Sequence, residues 1–521
     1  MLFPSRTRFI GIAAGYLLVC LGVSAEHNHT TPAKTACHTL STLLGTDKVQ
    51  SAGGAQYEAS ATGAWDLYNQ LDIFAMRTIF HSDAHYAVRG GGHSAMPGWN
   101  TIDNGVLIDF SQMKAFSYDP MCNSIFIEPG VLFGEVYDGL QSQGVAPVGG
   151  RVDAIGFSGL ALGGGLSFLS PSQGWACDRF RSLDVVLTDG RLVTATGTNE
   201  YSDLFTALKG GGSRFGIVTR YEVDAIHVGT AADKTYWGGS IDYVGPSSAA
   251  VVKATEALVY SNKDPNAVII SSGSYSNISG TFTTTSSVTL FYNGTEAQFK
   301  QVFADFLAIP AVATNLGPLS YNQMTKVLAS SHSPQNVYGG SALYPDQSLF
   351  EKFYNNWLNF STSFKDEVFA TFWDITPVFQ SQIDISRAHG GTSFTPPNGP
   401  FAYLLIGELL PLGVTKIGKL LRAGIDGLYR QWVSITPGPL FHSTSIPRSP
   451  GLPLYLNESE DVQNVLTTYS GYEQLKETYR KYDPTRFNVR RMIEPQFDFK
   501  RSKLLKDGMA GGLILSSNSA S

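Results

Sequence analysis

Three consecutive glycines ending on a histidine, within Arg89-Gly90-Gly91-Gly92-His93-Ser94, form the stretch of this 521-residue chain best suited to chemistry. Glycines adopt backbone conformations that a Cβ disfavours. With no side chains in the way, successive N–H groups can converge on one anion, as in a phosphate-binding nest. A histidine directly after such a cradle sets an imidazole beside whatever the cradle holds. A second glycine-rich stretch runs from Gly149-Gly150-Arg151 through Gly156-Phe157-Ser158-Gly159 to Gly163-Gly164-Gly165, and a third is Gly210-Gly211-Gly212 ahead of Phe215-Gly216-Ile217. None of them places Gly-x-Gly-x-x-Gly at a strand-to-helix junction, so an ordinary dinucleotide-binding fold is not supported. Gly413 to Lys419 matches the first part of a P-loop, but Leu420 stands where the magnesium-binding Ser or Thr belongs, and the stretch reads as the start of an amphipathic helix. His81 and His85 are four apart without a Cys or carboxylate partner in view, so no metal site is expected there.

The chain that must position these loops is long enough for two domains. Its 43% apolar content suffices for a large core, and its net charge of −6 and lack of a Lys/Arg cluster exclude a nucleic-acid binder. Arg6 and Arg8 precede the apolar run Phe9–Val23, and Val23-Ser24-Ala25 is a small-x-small cleavage site, so residues 1–25 read as a secretory signal peptide. Asn-x-Ser/Thr sequons at Asn28, Asn277, Asn293, Asn359 and Asn457 accord with a secreted glycoprotein. Cys37, Cys122 and Cys177 remain after cleavage, allowing at most one intramolecular disulfide.

Periodicity predicts a polar lead-in over 26–60 and a helix over 61–86. It then predicts strands at Val106–Phe110 and Ser124–Glu128, a helix at Val131–Ser142, and a hairpin about Asp189-Gly190. A helix Tyr201–Leu208 capped by Thr198 or Asn199 and a strand Ile217–Val223 follow. Near residue 230 the glycine runs stop. Strands at Val268–Ser272, Thr281–Tyr292, Phe369–Thr376 and Ala402–Glu408, with helices at 247–261, 295–308, 348–360 and 415–433, predict an antiparallel sheet covered by helices. The tail holds a helix, Tyr472–Lys481, followed by Tyr482-Asp483-Pro484.

Taken in order, Ala87–Ser94, Gly149–Gly165 with Gly174-Trp175-Ala176-Cys177-Asp178, Asp203–Gly212 leading into Phe215–Thr219, and Tyr482-Asp483-Pro484 resemble the fungal secreted berberine-bridge-enzyme-like flavoproteins of the vanillyl-alcohol-oxidase superfamily. The resemblance spans about residues 85–230 and 470–490. It implies an α+β protein. A two-lobed p-cresol-methylhydroxylase-type FAD-binding domain would occupy 61–229 and a substrate domain 230–465, with 466–521 returning to the FAD domain. It further implies that Arg89–Ser94 is the pyrophosphate loop, that His93 bonds covalently to the flavin, and that Gly156, Ser158, Gly159, Gly163, Gly164 and Ile217 wrap the FAD. The cysteine that makes a second covalent link in some members is replaced here by Val152, so His93 is expected to be the sole tether. Tyr57 and Trp65 lie too close to His93 for the family's usual extra strand and helix, so the first lobe is expected to be curtailed or built differently.

The chemistry so implied is hydride transfer from a small organic metabolite to flavin, with dioxygen as the final oxidant. The protein's part is position and electrostatics. A general base would come from the second domain's sheet. Glu408, amid Leu404, Leu405, Ile406 and Leu409, would have a raised pKa if buried and is the candidate, with Tyr403 and His389 as alternatives. Competing readings on the same scaffold are an oxidative cyclase, a carbohydrate oxidase and a non-catalytic binding protein.

Overall fold

Short apolar runs punctuated by glycine, proline and asparagine become strands, and longer amphipathic runs become helices. The computed structural model describes residues 17–21, 32–46, 49–51, 85–96, 99–102, 105–278, 280–328, 336–346, 349–363, 365, 370–409, 449–459, 463–488 and 492. The expected helix at 415–433, the P-loop-like stretch, His81, Asn28 and the Cys37 side chain lie outside the described residues; so does the expected helix at 61–86 except for His85 and Tyr86, which begin a strand instead.

The first part of the chain builds two small sheets. In one, β1 (Leu17–Leu21), β2 (Val49–Ser51), β3 (His85–Arg89) and β4 (Gly105–Asp109) lie in the order β2-β1-β4-β3, with helix α1 (Pro32–Leu44) against them. Strand β1 falls inside the apolar run expected to be a leader. It is parallel to β2 on one side and antiparallel to β4 on the other, so residues 17–21 of that run form a strand of the first lobe. The other sheet takes β5 (Phe116–Asp119) and β6 (Ser124–Ile127). After the two-residue β7 (Val145–Ala146) it takes β8 (Phe180–Val186), β9 (Leu192–Thr196) and β10 (Ile217–Asp224), in the order β5-β6-β10-β8-β9. Gly190, at φ 84°, turns the β8–β9 hairpin. Helix α2 (Phe133–Leu140) buries Phe133, Val136, Tyr137 and Leu140, the face that the i, i+3, i+4, i+7 pattern predicts. Helix α3 (Phe157–Leu162) lies within the second glycine stretch, and α4 (Ser202–Leu208) precedes the third. Strand β11 (Ile226–His227) pairs with β7 and marks the end of this half.

The second half is one antiparallel sheet in the order β15-β12-β14-β13-β17-β18-β16. Its strands are β12 (Tyr236–Val244), β13 (Ala267–Ile278), β14 (Thr281–Asn293), β15 (Ala313–Leu319), β16 (Asn336–Leu343), β17 (Ala370–Val378) and β18 (Phe401–Leu409). Strand alternation divides it cleanly. Trp373, Ile375, Leu404 and Ile406 join a core under helices α5 (Ser247–Ser261) and α6 (Leu349–Ser363). Val268, Ile270, Phe291 and Tyr403 join the core of the first half, so the sheet's other face lies on the glycine-rich domain. The predicted helix over 295–308 is broken into Glu296–Val302 and Ala304–Ala308. Strands β12, β15 and β16 escaped the sequence reading. β15 is a mostly exposed edge carrying Gly317-Pro318, so it has no buried face to impose alternation.

A buried ion pair of the first half anchors the second. The Asp178 carboxylate accepts from Ser386 Oγ at 2.9 Å and lies 3.6 Å from Lys209 Nζ, while Lys209 Nζ donates to the His389 carbonyl at 3.0 Å. Ser386 and His389 belong to helix α7 (Gln380–Ala388) and its C-cap. Burial pushes the Asp178 carboxyl upward and the Lys209 charge opposes it. Such a pair fixes α7 against the first half, and removing one partner of a buried pair typically costs about 3–5 kcal/mol. Helix α8 (Tyr472–Tyr482) returns to the first half. There Lys481 and Tyr482 meet Asp203, and beyond it Asn488 accepts a hydrogen bond from Tyr86 on β3.

Candidate functional site

The glycine runs, far apart in sequence, meet back to back. Strand β3 delivers the first loop. Arg89 at its end pairs with Asp109 across the parallel ladder at 2.7 Å, the two side chains 4% and 2% exposed. Arg89 therefore locks β3 to β4, and the loop beyond starts from a fixed point. Gly92 then takes a left-handed φ of 70°, which turns the chain toward His93. Asn100 closes the loop by donating from Nδ2 to the carbonyls of Gly92 and Ser94, both at 2.9 Å. Ser94 Oγ accepts from the Met96 N–H at 3.1 Å.

Gly156, at the N-cap of α3, packs its backbone on that of Gly91. A Cβ on Gly156 would stand 2.6 Å from Gly91 Cα, and one on Gly91 would stand 2.6 Å from Gly156 N. Ser158, one of the predicted site residues, donates to the Pro129 carbonyl at 2.9 Å and lies against Gly90. Gly159 is exposed, with nothing within 4 Å of where a Cβ would be. Gly163 and Gly164 lie against Asn457 and Phe394 instead, at the seam with the second half. Ile217 begins β10, half-buried, after the third glycine run. The structure thus brings Gly90, Gly91, Gly156 and Ser158 together. This close-packed glycine backbone leaves no room for a Cβ, as a loop that must approach an FAD pyrophosphate requires.

At the seam the chain places a carboxyl that the sequence reading missed. The segment Leu452–Ser459 threads between β16 and the second glycine stretch. Tyr455 OH accepts from the Leu166 N–H, and Asn457 Nδ2 donates to the Leu160 carbonyl and to Tyr455 OH, all at 2.9 Å. These bonds also spend the Asn457 amide, so this sequon is not a free surface acceptor, whereas Asn277, Asn293 and Asn359 are exposed. They hold Glu458, next in the chain, against Arg151. Arg151 Nη2 donates to Glu458 Oε1 at 3.3 Å, and Nη1 donates to Thr376 Oγ1 at 2.9 Å. Both charged side chains are only 16% exposed. Desolvation pushes the Glu458 carboxyl up to about 7, with Arg151 opposing the shift and Asp374 adding to it. Asp374, bonded to Ser272 on the neighbouring strand, is itself raised by burial. A carboxyl near neutrality between two domains is the signature of a group able to take up a proton.

The candidates named from sequence lie elsewhere. Glu408 is in β18, opposite Val337 and Thr371. Its position has the parity of Ala402, Leu404 and Ile406, which belong to the helix-covered core, and its side chain lies outside the described residues. Tyr403 has the opposite parity but is 1% exposed, its ring 5.2 Å from that of Tyr455, and burial holds its phenol well above the usual range. A deeply buried phenol that resists ionisation is a poor base, so Tyr403 is corrected to a packing residue of the seam. His389 caps α7 on the surface, against Arg179. Among the described residues Cys122 and Cys177 carry no disulfide, and no cluster of His, Cys, Asp and Glu has metal-binding geometry.

Residues 74–196 match the FAD binding domain family model. An FAD-dependent monooxygenase, tpcD, of Cochliobolus heterostrophus is 35% identical over 216 residues, a match spanning about two fifths of either chain (41% of this one, 40% of that). An uncharacterized FAD-linked oxidoreductase of Arthroderma benhamiae is 28% identical over 427 residues, covering 77% of this chain and 80% of that one. Berberine bridge enzyme from Eschscholzia californica superposes with a TM-score of 0.63 at 16% identity, over 84% of this chain and 89% of that one. The cradle thus lies within the matched flavin domain. The chain thus carries an FAD-binding domain and is similar to FAD-linked oxidoreductases, with the fold of berberine bridge enzyme.

Proposed function

We propose that this protein oxidises a small organic metabolite, of the kind found in secondary metabolism, at the seam between its two halves. His93 would be the sole covalent anchor of the FAD and Glu458 the base. The observation that carries the reading is the Arg151–Glu458 pair, a carboxyl of raised pKa held beside the second glycine stretch and facing the sheet. When bound, FAD supplies a two-electron acceptor for a substrate hydride and is returned by dioxygen. Arg89–Ser94 would hold its pyrophosphate through backbone N–H groups, with Gly156 packed behind the loop. Glu458 Oε1 accepts the O–H or N–H proton of the substrate as the C–H bond breaks. Arg151 orients that carboxyl and, by its charge, keeps part of it ionised near neutral pH. Phe168, packed edge-on to Phe291, helps keep water out of the seam.

The purified protein is expected to be yellow and to keep its flavin colour through acid precipitation, while His93→Ala releases the flavin into the supernatant. A colourless wild-type protein would sink the oxidase reading, and acid-soluble colour in the wild type would sink only the bond at His93. Export is proposed from the basic residues and apolar run at the N-terminus. Cleavage after Ala25 would remove β1 and leave β4 to pair otherwise. Sequencing of protein from culture medium should find Glu26 first, and a chain beginning before Leu17 would assign the run to the fold.

A further inference from the structure

Behind Arg151, on the side away from Glu458, the seam encloses a small cavity with room for about one water-sized group. Arg151, Thr376, Ser167, Ser170 and Gln382 line its polar side, and Val268, Pro171 and Phe379 are among its apolar walls. Gln382, on α7, is 0% exposed, and neither its Oε1 nor its Nε2 finds a hydrogen-bond partner among the described residues. A buried primary amide with both ends unsatisfied costs stability, and an apolar residue of the same shape would avoid that cost. The other polar groups already have assignments. Thr376 Oγ1 accepts from Arg151, and Ser170 Oγ accepts from the Ser167 N–H at 3.0 Å, so each of these hydroxyls keeps its O–H and one lone pair for a further partner. The complement of this set is one uncharged oxygen that both accepts and donates. A carboxylate would bring a charge that only Arg151, already committed to Glu458, could meet, and an apolar tip would leave the amide unpaired.

We propose that this cavity is a subsite for one hydroxyl group of the substrate, bound by Gln382. The proposal rests on the reading of Glu458 as the base. The base and the cavity lie on the two sides of a single guanidinium, Nη2 toward Glu458 and Nη1 toward Thr376. A substrate that meets both therefore carries two oxygens a few ångströms apart, one oxidised and one merely held. A hydroxylated aromatic alcohol or a diol has this chemistry, and a monofunctional alcohol or amine lacks it. A resident water has the same hydrogen-bonding character, and the substrate hydroxyl would displace it. The Asp178–Lys209 pair holds α7 in place and so fixes the reach of Gln382.

The test uses the flavin-loaded protein, with 4-hydroxybenzyl alcohol and benzyl alcohol as probes and the perturbation of the flavin absorbance as the binding readout. Wild type is expected to bind the dihydroxy probe about tenfold more tightly, the value of one well-made hydrogen bond. Gln382→Leu should erase that preference, leave benzyl alcohol binding unchanged, and keep or raise the melting temperature. A preference that survives Gln382→Leu overturns the subsite. So does equal binding of the two probes by wild type. A lowered melting temperature with unaltered probe affinities would assign the amide to a resident water and overturns it as well. The reading of Glu458 fails separately, if Glu458→Gln leaves flavin reduction unchanged while the Gln382 result stands.

Discussion

Replacing Glu458 with glutamine is expected to slow reduction of the bound flavin by roughly 10²–10⁴-fold, the usual contribution of a positioned general base. Glutamine keeps the size of the side chain and a carbonyl to accept from Arg151 Nη2, so the seam should stay closed and the flavin content unchanged. The substitution removes the capacity to take a proton and little else. Stopped-flow reduction under anaerobic conditions isolates this step from reoxidation, and a rate equal to wild type would remove Glu458 from the mechanism. The pH dependence sharpens the assignment. Burial raises the carboxyl from 4.5 to about 7, so the base is ionised only above that value. The wild-type reduction rate should climb with pH to a plateau with its midpoint near 7, and the Gln variant should lose that limb. Stability should run the other way. A carboxyl whose pKa is raised by folding binds its proton more tightly in the folded state, so the stabilisation is full below the unfolded value near 4.5 and is lost as pH rises through about 7. A melting temperature that falls over that window in wild type, and stays flat in Glu458→Gln, would tie both effects to one side chain.

Gly156→Ala should yield a folded protein that purifies without flavin. The added methyl would sit 2.5 Å from Gly91 N and 2.6 Å from Gly91 Cα. Both are backbone atoms of a loop already fixed by the Arg89–Asp109 pair and by Asn100, so there is no flexible side chain to move aside. The loops must separate, and N–H groups that converged on one anion would then point apart. Gly317→Ala is the matching control, because nothing lies within 4 Å of its would-be Cβ on the edge strand β15. Flavin-to-protein absorbance ratios of the two variants decide the matter. A fully loaded Gly156→Ala protein would mean that the cofactor does not depend on the contact between the two glycine runs.

The comparison of Glu408 with Glu458 shows how far the sequence reaches. Both are acids beside apolar runs, Ala402–Leu410 and Leu452–Leu456, and nothing in hydrophobic periodicity separates them. Strand parity gives position 408 the face of Leu404 and Ile406, toward the helices. Glu458 faces Arg151, 307 residues away in sequence, because Asn457 and Tyr455 tie their segment to Leu160 and Leu166. Pairings across such separations leave no local signal. The same holds for the contacts of Asp178 and Lys209 with Ser386 and His389, 208 and 180 residues away, which tie the halves together.

The glycine loops and their order, most strand, hairpin and helix positions with a buried face (β12 excepted), and the change of character near residue 230 are legible in the sequence alone. These follow from local conformational freedom and from the alternation that burial imposes on neighbouring side chains. Only the tertiary structure decided that Gly91 and Gly156 touch, that Arg89 serves Asp109, that the Tyr403 phenol is sealed in the seam, and that a carboxyl at 458 stands near neutrality. Each depends on what the chain brings alongside from elsewhere, because desolvation and close approach belong to the packed interior and to no single stretch of residues.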